Sequence, residues 1–136
     1  MTWLSLRELL AIRRQVVAAG RLRHGVHNRG GLYSAVRRPF TAFAGYELFP
    51  TFHQKVAALV HSLIAFHPFL EGNESTALIA ADVCLRMNGC RIRNIGDAEA
   101  FFRAIACGEH DVASISDWLE QHTESWRDTG TSTNMN

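Results

Sequence analysis

Apolar residues recur at helical spacing through most of the chain. Leu6, Leu9, Leu10, Ile12, Val16 and Val17 form the first stripe. Ser5 and Glu8 stand in front of it as a capping box, and Gly20 reads as its stop. Residues 21–31 are polar and contain glycine, which predicts a loop. A short helix is expected over 32–37, ending before Pro39 because the residue preceding a proline avoids helical geometry. Residues 43–49 combine aromatics with a central glycine and stop at Pro50, the pattern of a small hairpin or flap. An isolated hairpin is marginal in water, so this one must lean on helices.

A second strong stripe, Val56, Leu59, Val60, Leu63 and Ile64, predicts a helix over 52–66. Pro68 and Gly72 interrupt it. Residues 74–87 are then apolar on nearly every face, which predicts the central helix of a bundle, closed by Asn88 and Gly89. Asp97 is expected to cap a helix to residue 107, with Phe101, Phe102, Ile105 and Ala106 inward. Asp111 or Ser114 caps another, to residue 122, with Ile115, Trp118 and Leu119 inward. Residues 125–136 are polar and read as a frayed tail. The expected architecture is mostly α, a bundle of about six helices with one small β-hairpin flap.

At 136 residues the chain fits one domain. Its formal charge of +1 removes bulk charge as an argument for nucleic-acid or membrane binding. No run of apolar residues is long enough for a membrane span, and Met1 to Leu10 lacks the basic-then-apolar pattern of a secretory signal. Cys84, Cys90 and Cys107 are odd in number and lack a CxxC spacing, so a reducing, cytoplasmic setting is expected. Cys84 and Cys107 fall on apolar faces and are expected to be inert core thiols.

One segment carries chemistry: His67-Pro68-Phe69-Leu70-Glu71-Gly72-Asn73. It is held between two apolar helices. His67 can accept a proton near neutral pH. Glu71 is a hard oxygen ligand suited to Mg²⁺. Gly72 and Asn73 precede a helix whose free N–H groups form an anion site. Base, metal carboxylate and anion site are the parts of phosphoryl or nucleotidyl transfer. The same residues also admit a structural account, as a packed histidine followed by a loop and cap.

The segment resembles the Fic/Doc ("Fido") motif, His-x-Phe-x-(Asp/Glu)-(Gly/Ala)-Asn-(Gly/Lys)-Arg. Residues 31–39 (Gly-Leu-Tyr-Ser-Ala-Val-Arg-Arg-Pro) are similar to a segment of its Doc branch, the death-on-curing toxins of toxin–antitoxin pairs. So are Tyr46-Glu47-Leu48-Phe49-Pro50, Lys55 to Leu59, and Leu85-x-Met87-Asn88-Gly89-Cys90. The likeness spans roughly residues 4–120, so residues 1–124 are expected to form the Fic/Doc domain and 125–136 a disordered tail. It implies His67 as the base acting on a target hydroxyl and Phe69 as the packed anchor of the motif. Glu71 would be the Mg²⁺ ligand, and Gly72, Asn73, Glu74 and Ser75 the ATP-phosphate site. Phe43, Ala44, Gly45 and Tyr46 would be the flap that holds a target segment by strand addition. The implied partners are a protein with a Ser, Thr or Tyr hydroxyl, in the Doc branch a translation elongation factor, and an antitoxin peptide.

Two positions depart from the pattern. Glu74 stands where Gly or Lys is usual, and Ser75 where the phosphate-gripping arginine stands. Against a Lys-Arg ending the charge changes from +2 to −1, a swing of about three in the wrong direction for phosphate. Three readings remain open: an active transferase with an arginine supplied by Arg37, Arg38, Arg91 or Arg93, a partner-binding relative without turnover, and an enzyme with a changed donor. Elsewhere, His24 and His27 are expected at the surface and His61 in packing or at the surface. Asp82 is expected to pair with Arg86 four residues on. Ser116 to Glu120 matches part of a self-inhibitory Fic motif, a match attributed to chance.

Overall fold

A computed structural model describes residues 1–127. Six helices carry the fold: α1 (Leu6–Gly20), α2 (Arg29–Arg37), α3 (Phe52–Ala65), α4 (Asn73–Met87), α5 (Ile95–Ala106) and α6 (Val112–His122). A 3-10 turn (Arg38–Phe40) follows α2. Strands β1 (Ala42–Phe43) and β2 (Tyr46–Glu47) form one antiparallel pair, and β3 (Cys90–Ile92) and β4 (Thr123–Ser125) a second. The mostly helical bundle with its flap matches the expected class. None of the described helices is long and apolar enough to cross a membrane.

The centre of the bundle is α3, not α4. Nine of its residues are buried, from Lys55 to Ile64, and it packs on α2, α4, α5 and α6. Helix α4 is apolar on nearly every face, yet it lies to one side of the bundle and leaves Ile79 42% exposed on its outer face. That face borders a groove shared with α5.

Capping decides several boundaries. The Ser5–Glu8 capping box starts α1 as expected, but the left-handed stop is Arg21 rather than Gly20. Helix α2 begins three residues before the expected position because the Asn28 side chain accepts the Gly31 N–H. Asn94, not Asp97, caps α5 and accepts the Asp97 N–H. Asp111 caps α6, and Ser114 answers it from the first turn. At the end of α5, Ala106 and Cys107 are exposed, so neither is a core residue. Cys84 is buried, and desolvation pushes its thiol up to about 12, which keeps it protonated and inert.

The flap leans on a buried cation. Lys55 is 5% exposed, and its ammonium donates to the Glu47 carboxylate at 2.7 Å and to the Phe49 carbonyl. The turn between β1 and β2 uses Ala44 and Gly45, both in left-handed backbone (φ 51° and 82°), as a two-residue hairpin requires. Phe43 and Tyr46 are each 78% exposed.

The second strand pair was not expected. Cys90–Ile92 aligns with Thr123–Ser125, and the Trp126 N–H donates to the Gly89 carbonyl. The Arg86 guanidinium lies over the Trp126 ring. At the other end of the chain, the Thr2 N–H donates to Asn88 Oδ1 and the Asn88 amide donates to the Thr2 carbonyl. Of the segment expected to fray, residues 128–136 lie outside the described residues.

Lys55→Ala leaves the Phe49 carbonyl without its donor and should cost about 1–3 kcal/mol. Hydrogen exchange should quicken first at Leu48, whose N–H bonds the Thr41 carbonyl across the flap. The core of α3 should keep its protection, and equal loss of protection in both would reject this division.

Candidate active site

The segment joining α3 to α4 is pinned from within and from one side. Phe69 is 2% exposed and buries its ring in the core. The Asn73 side chain spans the loop twice: its Oδ1 accepts the Phe69 N–H, and its Nδ2 donates to the Phe69 carbonyl, both at 3.0 Å. From the side, residues 25–28 run as an extended partner. The His27 and Asn28 N–H groups donate to the Pro68 carbonyl, and Val26 bridges Phe69. Residues 21–31, expected to be a free loop up to the helix, are thus partly the wall that holds the motif.

Gly72 makes the turn into α4. Its φ of 77° is left-handed, and an added Cβ would sit 2.9 Å from Leu22 Cδ1 and 3.2 Å from Val16 Cγ1. Gly72 also offers no capping side chain, so the first-turn N–H groups of α4 lack a side-chain acceptor. Those N–H groups and the helix dipole favour an anion. In front of them lies an open cavity of about 440 Å³, lined by Leu22, Ile64, His67, Gly72, Asn73, Glu74, Ser75 and Ala106. His67 is exposed and sits in left-handed backbone, φ 46°, a conformation that a non-glycine residue holds at some cost.

The structure therefore brings His67, Gly72, Asn73, Glu74 and Ser75 around one cavity. The Asn73 side chain is committed to Phe69, so its position offers a ligand chiefly its backbone N–H. Glu71 does not line the cavity. Its Oε2 accepts the Arg23 backbone N–H at 2.6 Å and lies 3.6 Å from the Arg23 guanidinium. That hydrogen bond, aided by the charges of Arg23 and Arg13, holds the Glu71 carboxyl below its ordinary value. Oε1 makes no hydrogen bond among the described residues. A half-exposed carboxylate with its pKa lowered and one free oxygen fits a Mg²⁺ ion, which takes few protein ligands.

The four arginines considered as substitutes for the motif arginine lie elsewhere. Arg38 donates to His61 Nδ1 at 2.8 Å and to Ser62 Oγ. His61 is half-buried there, and burial together with the Arg38 charge lowers its pKa. Arg91 and Arg93 pair with Glu124. Arg37 is exposed at the end of α2. None of the four lines the cavity. A different arginine does approach it: Arg103 of α5 borders the α4–α5 groove, about 300 Å³ in volume, together with Glu74 and Ser75. Arg103 makes no ion pair among the described residues, and its exposed position on α5 gave no signal in the sequence.

Arg13 was also missed, and here a signal existed. It falls on the α1 stripe between Leu9, Leu10, Val16 and Val17, so a charge there is directed inward. Arg13 is 5% exposed, lies 4.8 Å from the centre of the Phe69 ring, and donates to the Arg23 carbonyl. Of the remaining expectations, Arg86 Nε reaches Asp82 at 2.8 Å, and His24 and His27 are exposed. Glu120 is exposed on α6 and does not line the cavity.

Comparison with known proteins bears on the same segment. The model of the Fic/DOC family matches residues 3–85. The chain is also similar to the Toxin Doc of Mycolicibacterium smegmatis, with 32% identity over 111 residues, covering 76% of this chain and 85% of that protein.

Two consequences are measurable. Asn73→Ala removes both clasps on Phe69 and should cost about 1–3 kcal/mol in denaturant unfolding. A change below the error of that measurement would deny the clasp a structural role. Glu71 has a lowered folded-state pKa, so its contribution is present above its unfolded pKa and fades as pH falls through the folded value. The difference in melting temperature between the wild type and Glu71→Gln should therefore shrink between about pH 6 and pH 3.

Proposed function

The chain belongs to the Fic/Doc family, and from that premise we propose that it is a Doc-like toxin that transfers phosphate, or a nucleotidyl group, from ATP to a protein hydroxyl, with weakened turnover. The observation that supports this reading most is the meeting of His67 and the uncapped start of α4 at one open cavity. His67 is exposed at that cavity and can take the proton of an incoming Ser, Thr or Tyr hydroxyl. The backbone N–H groups of the first turn of α4 receive the phosphate. Glu71, through its free Oε1, would hold Mg²⁺, which supplies charge neutralisation on the phosphates when bound. The flap, with Phe43 and Tyr46 exposed and its backbone edge open, is suited to pairing with an extended target segment. A translation elongation factor is the target class that we infer from the family, and the cytoplasm the compartment.

Weakened turnover follows from Glu74 and Ser75. Among the described residues no arginine or lysine lines the motif cavity, and Glu74 adds a negative charge to its rim. Arg103, at the neighbouring groove, is the positive charge available to offset it.

A second reading has its own support. The Asn73 side chain is occupied by Phe69, and the groove between α4 and α5 presents Ile79 and Ile95, 42% and 44% exposed. These features suit a relative that binds a partner, such as an antitoxin peptide, without turning over nucleotide.

Titration with Mg-ATP separates the two. Binding at millimolar Kd or tighter, about −4 kcal/mol or better, that weakens in Arg103→Ala supports the transferase. Glu74→Lys with Ser75→Arg should tighten Mg-ATP binding and make expression of the chain inhibit growth, and His67→Ala in that background should relieve the inhibition. If the double variant still does not bind Mg-ATP, the loss of phosphate affinity does not reside at residues 74 and 75.

A further inference from the structure

Residues 23–28 and 68–71 run antiparallel and are laced together. The His27 N–H donates to the Pro68 carbonyl at 2.7 Å, the Leu70 N–H donates to the Gly25 carbonyl at 3.3 Å, and Val26 bridges Phe69. Glu71 carries the lacing one step further with its side chain, whose Oε2 accepts the Arg23 N–H at 2.6 Å. The direction of that carboxylate therefore depends on where residue 23 lies. Residues 22–24 belong to no helix or strand, and the Arg23 side chain is exposed, so local structure does little to fix the place.

Arg13 supplies the fix. It rises from α1, is 5% exposed, and donates from Nη2 to the Arg23 carbonyl at 3.1 Å. Residue 23 is thus held through both of its peptide groups, the carbonyl by Arg13 and the N–H by Glu71. The same guanidinium rests 4.8 Å from the centre of the Phe69 ring, two residues before Glu71 in the motif. Holding a cation there is costly, because Arg13 Nε and Nη1 are buried with no hydrogen-bond partner among the described residues. An apolar residue at this position of the stripe would avoid that cost. It could not hold the Arg23 carbonyl.

We infer that Arg13 is a positioning residue for the Mg²⁺ site: through the Arg23 peptide and the Phe69 ring it holds the Glu71 carboxylate in place, with Oε1 left free for the metal. The metal half of this inference rests on the role given to Glu71 above. A guanidinium has no acceptor to offer a cation, so Arg13 acts only through its neighbours. Its charge on its own repels Mg²⁺. Positioning and charge therefore predict opposite signs when Arg13 is replaced.

The test uses the full chain and Mn²⁺, a paramagnetic probe that takes the same oxygen ligands as Mg²⁺. Electron paramagnetic resonance counts free Mn²⁺, and NMR follows proton exchange at the Arg23 amide. Glu71→Ala identifies the part of the binding that depends on Glu71. Arg13→Met should weaken that part about fivefold, less than the roughly tenfold or greater loss on removing a direct orienting partner, because Arg13 acts one contact further out. The Arg23 amide of this variant should exchange faster while amides in the core of α3 keep their protection. Arg13→Lys, which keeps the charge and a donor, should bind Mn²⁺ more tightly than Arg13→Met. Arg13→Gln, whose amide ends two bonds short of the guanidinium nitrogens, serves in place of Arg13→Met if that variant does not fold. A residue that only stabilised the fold would lower the melting temperature and leave Mn²⁺ affinity well below it unchanged. Mn²⁺ binding that is unchanged or tighter in Arg13→Met would overturn the inference, as would an Arg23 amide protected as in the wild type. A wild type that binds Mn²⁺ no better than Glu71→Ala would remove the metal role of Glu71 and the metal half of the inference together. The Arg23 amide would then still decide whether Arg13 holds Glu71.

Discussion

Phe69 and Asn73 are four residues apart, and the two hydrogen bonds between them decide whether the segment between α3 and α4 has one shape. A loop carrying a proline, a left-handed histidine and a left-handed glycine would otherwise sample many conformations. Burial of the Phe69 ring fixes where the loop enters the core, and the Asn73 clasp fixes its curvature. The left-handed Gly72 then turns the chain so that α4 begins without a cap and faces the His67 side of the loop. Each of these features relies on the preceding one. Against this rigid frame, the Val26 bridge and the bonds to the Pro68 carbonyl fasten a second stretch of chain that has little regular structure of its own.

The electrostatics of the site pull in two directions. Backbone groups at the start of α4 are arranged for an anion, yet the side chains added by Glu74 and Ser75 make the same place less receptive to one. Positive charge is not scarce nearby, but it is spent. Arg38 serves His61 and Ser62, Arg91 and Arg93 serve Glu124, and Arg23 serves Glu71. Arg103 remains, one groove away. The frame of the site and the charge of the site have therefore been set by different residues, and one can persist while the other changes.

Much of this was legible in the sequence. The stripes of α1 and α3 gave their buried faces directly, because every residue of the repeating set at 56, 59, 60, 63 and 64 is buried. The motif residues were found because chemistry-bearing side chains were concentrated in seven positions. Other features were hidden for definite reasons. Strands β3 and β4 are three residues each and lie far apart in sequence, so neither has a period to detect and their pairing is a tertiary event. Helix α4 looked central because its apolar residues run round the helix, yet while Ala77, Ala80 and Ala81 are buried, Ile79 is left exposed beside the α5 groove. The side-chain role of Asn73 depended on the path of the backbone at Phe69, which no spacing reveals. Arg13 is legible as a charge on an apolar stripe, a position that directs it inward.

Thr2 and Trp126 are held by adjacent residues, Asn88 and Gly89, at the end of α4. The first and last parts of the described chain thus arrive at one corner of the bundle, and the stretch from Thr2 to Trp126 forms nearly a closed circuit. Its order of helices is a matter of where the circuit is cut. A linker of a few residues across that corner would allow new ends to be opened elsewhere, for instance in the exposed turn at Gly108, without altering which helix packs on which.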